Sequence, residues 1–437
     1  MNKKQWTIYF CQLTLQQYGF KTSIIVGSQQ VKLAFTALAI VTALFSAMTK
    51  ASPATTESSL TYSGNFHLDQ SQSIFFEEFA LATYALQLLQ VKSKFHLNDM
   101  IIGGSLEFDL QQWHGGEILQ IPLGIYQQGN GFYFTQATVD LMNNITPWMT
   151  TFFSMTDIHI GRGGPDGNNI YVPHAFILVG NLDKTPFYST IGINNIPFGV
   201  FIGSGPWDTP LTFSYFSPSQ APQVSVGYYK NGLNAVATGF QDQVNNNYNY
   251  AYNIGYTKSA AGLGYSIGAG YLTDLKTNNT GYAIAHSDVI QAIPSQQVGN
   301  LGGIYDLNSS IRYHQLTLSG EYDIGSNKTN TNFKKPKAYA VTLNYVKNIA
   351  GRDTTFGVGR SVALHLKNVP APLTGNDSIP YALHGLRNIW AFNISRPIFT
   401  NYIFLGLDLQ KVIANAGGLK NTEKNTYTTT LDLTAYL

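Results

Sequence analysis

Cysteine is almost absent from this chain. The 437 residues contain a single cysteine, Cys11, in an N-terminal region that we expect to be removed during export. A mature chain without a thiol has no disulfide, no thiolate metal site and no cysteine nucleophile. The nine histidines are scattered and show neither an HxxxH nor an HExxH spacing. We therefore predict no metal site, no cofactor and no catalytic residue.

Charge is also scarce, because Asp, Glu, Lys and Arg together make up only 11% of the residues. Hydrophobic residues make up 44%, so much of the polarity comes from uncharged Asn, Gln, Ser, Thr and Gly. Five of the 26 basic residues precede residue 52, where no acid occurs, and without them 21 basic and 24 acidic residues remain. This weakly acidic balance argues against a polybasic surface and predicts no nucleic-acid partner.

Apolar runs long enough to form a membrane-spanning helix are missing as well. The longest run, Leu33–Ala47, has the proportions of a signal-peptide core. We expect residues 1–51 to be an export signal, cleaved after Ala51 or Ala54. The residues before Val31 make a poor signal-peptide start, so we hypothesise that translation begins at Val31.

Residues 52–98 form a second region, in which apolar residues recur at helical spacing from Ile74 to Val91. We predict a periplasmic N-terminal segment with one short helix. This helix either plugs the lumen of a barrel formed by the residues that follow it or packs beneath that barrel without a function of its own.

From residue 99 onward the apolar residues recur with a period of two. The stretch GGSLEFDLQQ is one example and Ile311–Asp323 is another. The last, Thr426–Leu437, places apolar side chains on one face and polar ones on the other. Fourteen such segments occur, each close to the 9–11 residues of a tilted membrane strand. A further hairpin around Thr354–Leu366 would raise the number to sixteen. No helical pattern intervenes, which excludes a parallel βαβ fold.

Short and long connections alternate along most of these segments, and Pro197–Pro222 is one of the long ones. This alternation is typical of outer-membrane barrels with short periplasmic turns and long external loops. We predict an all-β fold, a transmembrane antiparallel β-barrel of 14–16 strands over residues 99–437, preceded by the short helical segment. Thr426–Leu437 closes the ring against the first strand. A barrel of this size has an aqueous interior, so we predict a pore in the cell outer membrane. Its partners are outer-membrane lipid and the barrel-assembly machinery, and the oligomeric state is left open.

Acidic side chains recur at the polar parity of the predicted strands. Glu107 and Asp109 lie two residues apart on one strand and therefore project from the same face. Paired carboxylates can act as acid and base, but in a pore lumen they more often set ion selectivity. The lumen-facing selectivity candidates are Glu107, Asp109, Asp140, Glu321, Asp323 and Asp432.

The stretch Ala175–Gly199, AFILVGNLDKTPFYSTIGINNIPFG, has a strand ending in GNL, a DKTPFY turn and a returning strand ending in IPFG. Together with Val226–Gln241 and Gly131–Met142, it resembles the LbtU-type siderophore porin family. The resemblance implies an outer-membrane barrel of sixteen strands that takes up a ferric siderophore. It transfers no ligand residue.

The function that these observations favour is uptake of a siderophore or a similar small polar solute through a polar lumen. The candidate capture loops are Ile158–Ile170, Asp274–Ser310 and Asn348–Leu386. A general diffusion porin on the same scaffold is the alternative. A secreted β-rich adhesin or carbohydrate binder is a third reading, and a barrel enzyme is a distant fourth.

Overall fold

The computed structural model describes most of the barrel region and one short helix before it. It describes residues 83–92, 97, 100–115, 128–157, 170–205, 208–218, 220–241, 248–260, 262–274, 302–328, 333–369, 371–372, 381–382, 385–399, 402–415 and 424–436. All of these belong to one of the two units into which the chain divides, Glu57–Leu437. The predicted export signal and most of the predicted capture loops lie outside the described residues.

Within the described residues, sixteen strands close into one antiparallel barrel, and two further strands form a small separate ladder. The barrel strands are β1 (Met100–Gly115), β2 (Gln128–Asn144), β3 (Met149–Asp157), β4 (Ile170–Gly180), β5 (Phe187–Asn194), β6 (Ala221–Lys230), β7 (Leu233–Gln241), β8 (Tyr248–Ala260), β9 (Leu263–Leu272), β10 (Ile304–Tyr313), β11 (Leu316–Gly325), β12 (Lys337–Ile349), β13 (Arg352–Leu364), β16 (Leu386–Pro397), β17 (Ile403–Ala414) and β18 (Lys424–Tyr436). The ladder consists of β14 (Ala371–Pro372) and β15 (Tyr381–Ala382). The helices are α1 (Tyr84–Lys92) and α2 (Leu211–Phe216).

The ring closes between the first and last strands, as the sequence predicts. β1 pairs with β18 in a continuous register from Ser105–Tyr436 to Gly115–Thr426. Closure satisfies the backbone groups that a free sheet edge would leave unpaired. The expected barrel fold is confirmed at sixteen strands.

The two faces of the wall differ in polarity. On β8 the exposed residues are Tyr250, Tyr252 and Ile254, while Ala251 and Asn253 between them are buried. The same alternation runs around the ring, so an apolar face points outward and a mostly polar face points into the lumen. This is the arrangement of a barrel whose outer surface contacts lipid. Among the described residues no helix is long and apolar enough to cross a membrane.

Connections of different length lie at opposite ends of the barrel, because each strand reverses direction. One end carries the short connections 145–148, 181–186, 231–232, 261–262, 314–315, 350–351 and 398–402. The other end carries 116–127, 158–169, 195–220, 242–247, 273–303, 326–336, 365–385 and 415–423. By analogy with barrels of this kind, the short-turn end is the periplasmic one.

Two strand boundaries differ from the sequence-based prediction. The single strand expected over Ile311–Asp323 is wrong, because a turn at His314–Gln315 divides the region into β10 and β11. His314 takes a positive φ of 50° without a glycine beside it, so the usual Asn-Gly signal of a two-residue turn is missing. The region around Thr354–Leu366, where a further hairpin was expected, contributes the single strand β13, which pairs with β12 and β16.

A charge on the outward face tests where this wall meets lipid. Ile267 lies near the middle of β9 and Leu263 at its periplasmic end, on the same face and 55% and 45% exposed. Ile267→Arg should lower the free energy of unfolding by about 2–4 kcal/mol, and Leu263→Arg by about 0–1 kcal/mol. Guanidinium unfolding of the barrel in lipid bilayers measures both. Equal costs for the two variants, or no cost at Ile267, would contradict a lipid-facing outer wall.

Candidate functional site

The connection between β5 and β6 turns into the barrel instead of extending away from it. Its described residues 195–205 and 208–217, called here the lumen insert, include α2. In the sixteen-strand ring, β5 and β6 lie eight places from β13 and β16, that is, on the opposite side of the barrel. Contacts of the lumen insert with this opposite wall therefore mean that the segment crosses the lumen.

Glu321, on the lumen face of β11, holds one end of the lumen insert. Its Oε1 accepts hydrogen bonds from the backbone N–H of Val200 at 2.7 Å and of Phe201 at 3.0 Å, and its Oε2 lies 3.0 Å from the same Phe201 nitrogen. Phe201 has a positive φ of 51°, which points two successive N–H groups at one carboxylate. A charge-assisted bond of this kind is stronger than one between neutral groups.

Two glycines on the lumen face of β13 make room for the middle of the lumen insert. A Cβ on Gly357 would lie 2.1 Å from the backbone oxygen of Ser204, and one on Gly359 would lie 2.4 Å from Asp208 Oδ2. The Asp208 carboxylate in turn accepts hydrogen bonds from the Ser204 N–H and hydroxyl, both at 2.7 Å. The backbone of the lumen insert therefore lies directly on the barrel wall.

Asp208 is the charged side chain of this turn. Burial raises the pKa of the Asp208 carboxyl, and the two hydrogen bonds from Ser204 act in the opposite direction. The folded protein therefore holds the Asp208 proton more tightly than the unfolded chain does. As the pH rises through the folded-state pKa, the carboxyl ionises and its contribution to the free energy of unfolding is lost.

The rest of the lumen insert is held by apolar packing. Phe198, Phe201, Leu211, Tyr215 and Phe216 have no exposed surface. They pack together with wall residues of strands from β7 round to β17. Full burial of a side chain of this size contributes about 1.5–3 kcal/mol.

Tyr215 also has a polar anchor on the far wall. Its Oη accepts a hydrogen bond from the Leu386 N–H at 2.6 Å and lies 3.1 Å from the Leu386 carbonyl. Burial raises the pKa of the Tyr215 hydroxyl, so it is protonated over the physiological range.

Helix α1 covers a second part of the lumen wall, near the periplasmic end. Leu88 has no exposed surface and belongs to an apolar cluster with Met142, Phe152, Phe176 and Leu178 of β2, β3 and β4. These wall residues share the lumen-facing parity of their strands. Helix α1 therefore packs against the lumen-facing side chains of β2, β3 and β4.

The C-terminal end of α1 is tied to the periplasmic turns. Lys92 Nζ donates hydrogen bonds to the carbonyl of Gly180 at 2.6 Å and to that of Pro147 at 3.0 Å, and the Lys92 carbonyl accepts one from Asn144. Burial lowers the pKa of Lys92, and the nearby Asp183 raises it.

All six predicted selectivity residues have the lumen-facing parity of their strands, and five of them fall into two clusters. Glu107, Asp109 and Asp432 meet at the β1–β18 seam, where each offers a carboxylate oxygen within 4.8 Å of the others. Glu321 and Asp323 form a second cluster together with Asp306 of β10.

Asp140 stands apart from both clusters. It lies opposite Ser154 on β3 and forms a hydrogen bond with its side chain. At the seam, Thr135 donates a hydrogen bond to Asp109, and Thr434 donates one to Asp432 at 3.0 Å. The role of the six acidic residues in ion selectivity stays a prediction.

Sequence reasoning missed two parts of this site. The predicted loop Asp274–Ser310 overlaps the start of β10, so Asp306 lies on a strand and not in a loop. The predicted loop Asn348–Leu386 likewise includes β13. The long external connection expected over Pro197–Pro222 is wrong, because its described residues form the lumen insert. The signal was available, since Phe198, Phe201, Phe213, Tyr215 and Phe216 are unusual in an exposed loop.

A methyl group on the wall tests the seat of the lumen insert. Gly357→Ala places a Cβ against the backbone oxygen of Ser204 and should displace the segment, making its phenylalanines susceptible to chymotrypsin. Gly320→Ala is the matched control, because its Cβ would have an ordinary contact of 3.7 Å. Equal cleavage of the two folded variants would mean that the lumen insert does not rest on Gly357.

An acid on α1 tests its place in the lumen. Leu88→Asp buries a carboxylate in an apolar cluster, so the amides of α1 should lose about 1–3 kcal/mol of protection against hydrogen exchange. Leu97→Asp, at a position 51% exposed, should leave that protection unchanged. Full protection in Leu88→Asp would place α1 outside the apolar cluster.

Solved structures with a similar fold are outer-membrane porins. An anion-selective porin from Comamonas acidovorans matches with a TM-score of 0.50 and 9% identity, covering 78% of this chain and all of that one. The Salmonella typhi OmpF complex with daunomycin matches with a TM-score of 0.51 and 11% identity, covering 78% of this chain and 98% of that one. At these identities the likeness shows the fold alone, which is that of the porins.

A curated relative, a UPF0422 protein from Coxiella burnetii (strain RSA 493 / Nine Mile phase I), is 26% identical over 243 residues. The match covers 52% of this chain, and the chain spans about half the length of that relative. The resemblance to the LbtU-type siderophore porins stays a prediction. A family model described as "Protein of unknown function (DUF3573)" matches residues 46–301, more than half of the chain, and the chain therefore belongs to the DUF3573 family.

Proposed function

We propose that this chain is a selective channel of the outer membrane that admits a small polar solute, a siderophore being the leading candidate. The observation that carries the proposal is the lumen insert, which crosses a sixteen-strand barrel and is anchored on the far wall by Glu321 and by the Tyr215–Leu386 pair. A segment packed inside the lumen narrows the passage and provides a surface that can discriminate between solutes.

The barrel wall supports the membrane location in this proposal. Its outward face is apolar around the ring, and a closed antiparallel sheet leaves no unpaired edge in the hydrocarbon region. Lipid and the barrel-assembly machinery are the partners that such a wall requires. The export signal expected in residues 1–51 belongs to the same proposal.

A general diffusion porin is the second candidate. The polar side chains of the lumen wall favour it, since Ser225, Thr238, Asn253, Asn308 and Thr342 have the lumen-facing parity and are spread over five strands. The lumen insert and α1 favour the selective channel instead, because both reduce the open cross-section of the lumen.

The charge of the lumen wall narrows the class of solute. The seam cluster of Glu107, Asp109 and Asp432 faces the interior together with Asp140, so we expect the field inside the barrel to repel anions and attract cations. We propose that the solute is neutral or cationic, and that a siderophore carried by this channel has no large negative charge in its ferric form.

Ion selectivity tests the lumen charge. In planar bilayers with a KCl gradient, the channel should prefer K⁺, and Glu107→Gln, at the partly exposed acid of the seam cluster, should reduce the preference. A charge about 4 Å from a passing ion changes its energy in water by about 1 kcal/mol, or roughly fivefold in permeability. Asp353→Asn, at the periplasmic turn of β13, is the matched control and should change little. Anion preference, or equal effects of both variants, would contradict an acidic conducting lumen.

Transport separates the two candidate functions. A deletion strain should lose uptake of labelled ferric siderophore under iron limitation and regain it with the wild-type gene. Low concentrations of the same ferric siderophore should block the single-channel current of a selective channel. A current that is never blocked, with normal uptake in the deletion strain, would favour the general porin.

A further inference from the structure

Three carboxylates meet on the lumen face of two neighbouring strands. Asp306 lies on β10, and Glu321 and Asp323 lie on β11, where Asp323 is directly opposite Asp306. One carboxylate oxygen from each residue lies within 4.8 Å of the other two. The side chains are only 4%, 6% and 0% exposed.

Hydrogen-bond donors do not account for this cluster. Neither side-chain oxygen of Asp323 has a hydrogen-bond donor, and Asp306 Oδ1 has none either. Asp306 Oδ2 accepts one bond, from Asn308 at 2.7 Å. An ionised carboxylate buried without a donor is costly, so Asp323 needs a positive partner, either a proton or a cation.

Positive side chains do not supply that partner within the described residues. The charges that act on Asp306 and Asp323 are those of the other acids in the cluster. The third acid, Glu321, accepts backbone N–H groups of the lumen insert, and the buried Thr212 hydroxyl of α2 faces its carboxylate. Several oxygens therefore surround a position that carries no cation of the protein itself.

We propose that Asp306, Glu321 and Asp323 bind one calcium ion inside the barrel. Calcium takes oxygen ligands at 2.3–2.6 Å, so two ligands on opposite sides of one ion lie at most about 4.6–5.2 Å apart. The three oxygens all lie within 4.8 Å of one another, so one calcium ion can contact all of them. Magnesium gives up its waters reluctantly and is usually bound by only one or two carboxylates, so a buried group of three carboxylates suits it less well.

The position of the site gives the ion a structural effect. Glu321 binds the ion with the same carboxylate that accepts the N–H groups of Val200 and Phe201. Calcium would therefore fasten the lumen insert to the β10–β11 wall. The sequence predicts no metal site, because Asp306 was assigned to a loop and the third ligand was not visible.

Calcium titration of the full chain tests the proposal. The purified barrel is stripped with EDTA, and CaCl₂ or MgCl₂ is added in an isothermal titration calorimeter. The wild type should bind one Ca²⁺ per chain at least tenfold more tightly than Mg²⁺. Asp323→Asn and Asp306→Asn should each weaken Ca²⁺ binding at least tenfold. Asp109→Asn, which changes the acidic cluster at the β1–β18 seam, should leave it unchanged.

Heat-modifiable migration on gels verifies that each variant is folded. The wild type alone provides a second measurement, since Ca²⁺ should raise its unfolding temperature and EDTA should reverse the rise. The proposal is overturned if the wild type binds no Ca²⁺, or if folded Asp323→Asn and Asp306→Asn bind it as the wild type does. A proton shared between Asp306 and Asp323 would give this negative result. A negative result for siderophore transport would not bear on calcium binding at this site.

Discussion

Hydrogen bonding of the backbone is the constraint on which the rest of the structure depends. A chain in the hydrocarbon core must pair its N–H and C=O groups internally, and a sheet does so only by closing on itself. The continuous β1–β18 register provides that closure. Once the ring is closed, the two-residue period of each strand divides its side chains between lipid and lumen. The low charge content follows, because the half of the wall residues that face lipid must be apolar.

Closing sixteen strands creates an interior that side chains of the wall alone do not fill. The chain fills part of it with two of its own segments, α1 on the β2–β4 side and the lumen insert on the opposite wall. The fit of the lumen insert depends on small residues, since Gly357 and Gly359 let its backbone approach β13. Its anchors are polar and few, chiefly Glu321 and Tyr215. The channel that we propose therefore has a lumen shaped by its own connections.

The sequence predicts the wall well and the interior poorly, for physical reasons. Alternating polarity follows directly from lipid on one face, so the strands and the closing pair are predictable. The β10–β11 turn was missed because His314 takes a positive φ without a neighbouring glycine. The lumen insert was missed because periodicity does not tell which way a connection folds. Asp306 was lost with its strand, although the parity of Glu321 and Asp323 correctly indicated the lumen face.

Single-channel conductance tests most directly whether the lumen insert occupies the lumen. β5 and β6 are paired up to Asn194 and Ala221, so a short Gly/Ser turn can replace the segment between them without changing the ring. The shortened barrel should keep its heat-modifiable migration and conduct several-fold more current than the intact chain in the same bilayer and salt. Equal conductance of the two folded proteins would contradict the placement of the lumen insert inside the lumen.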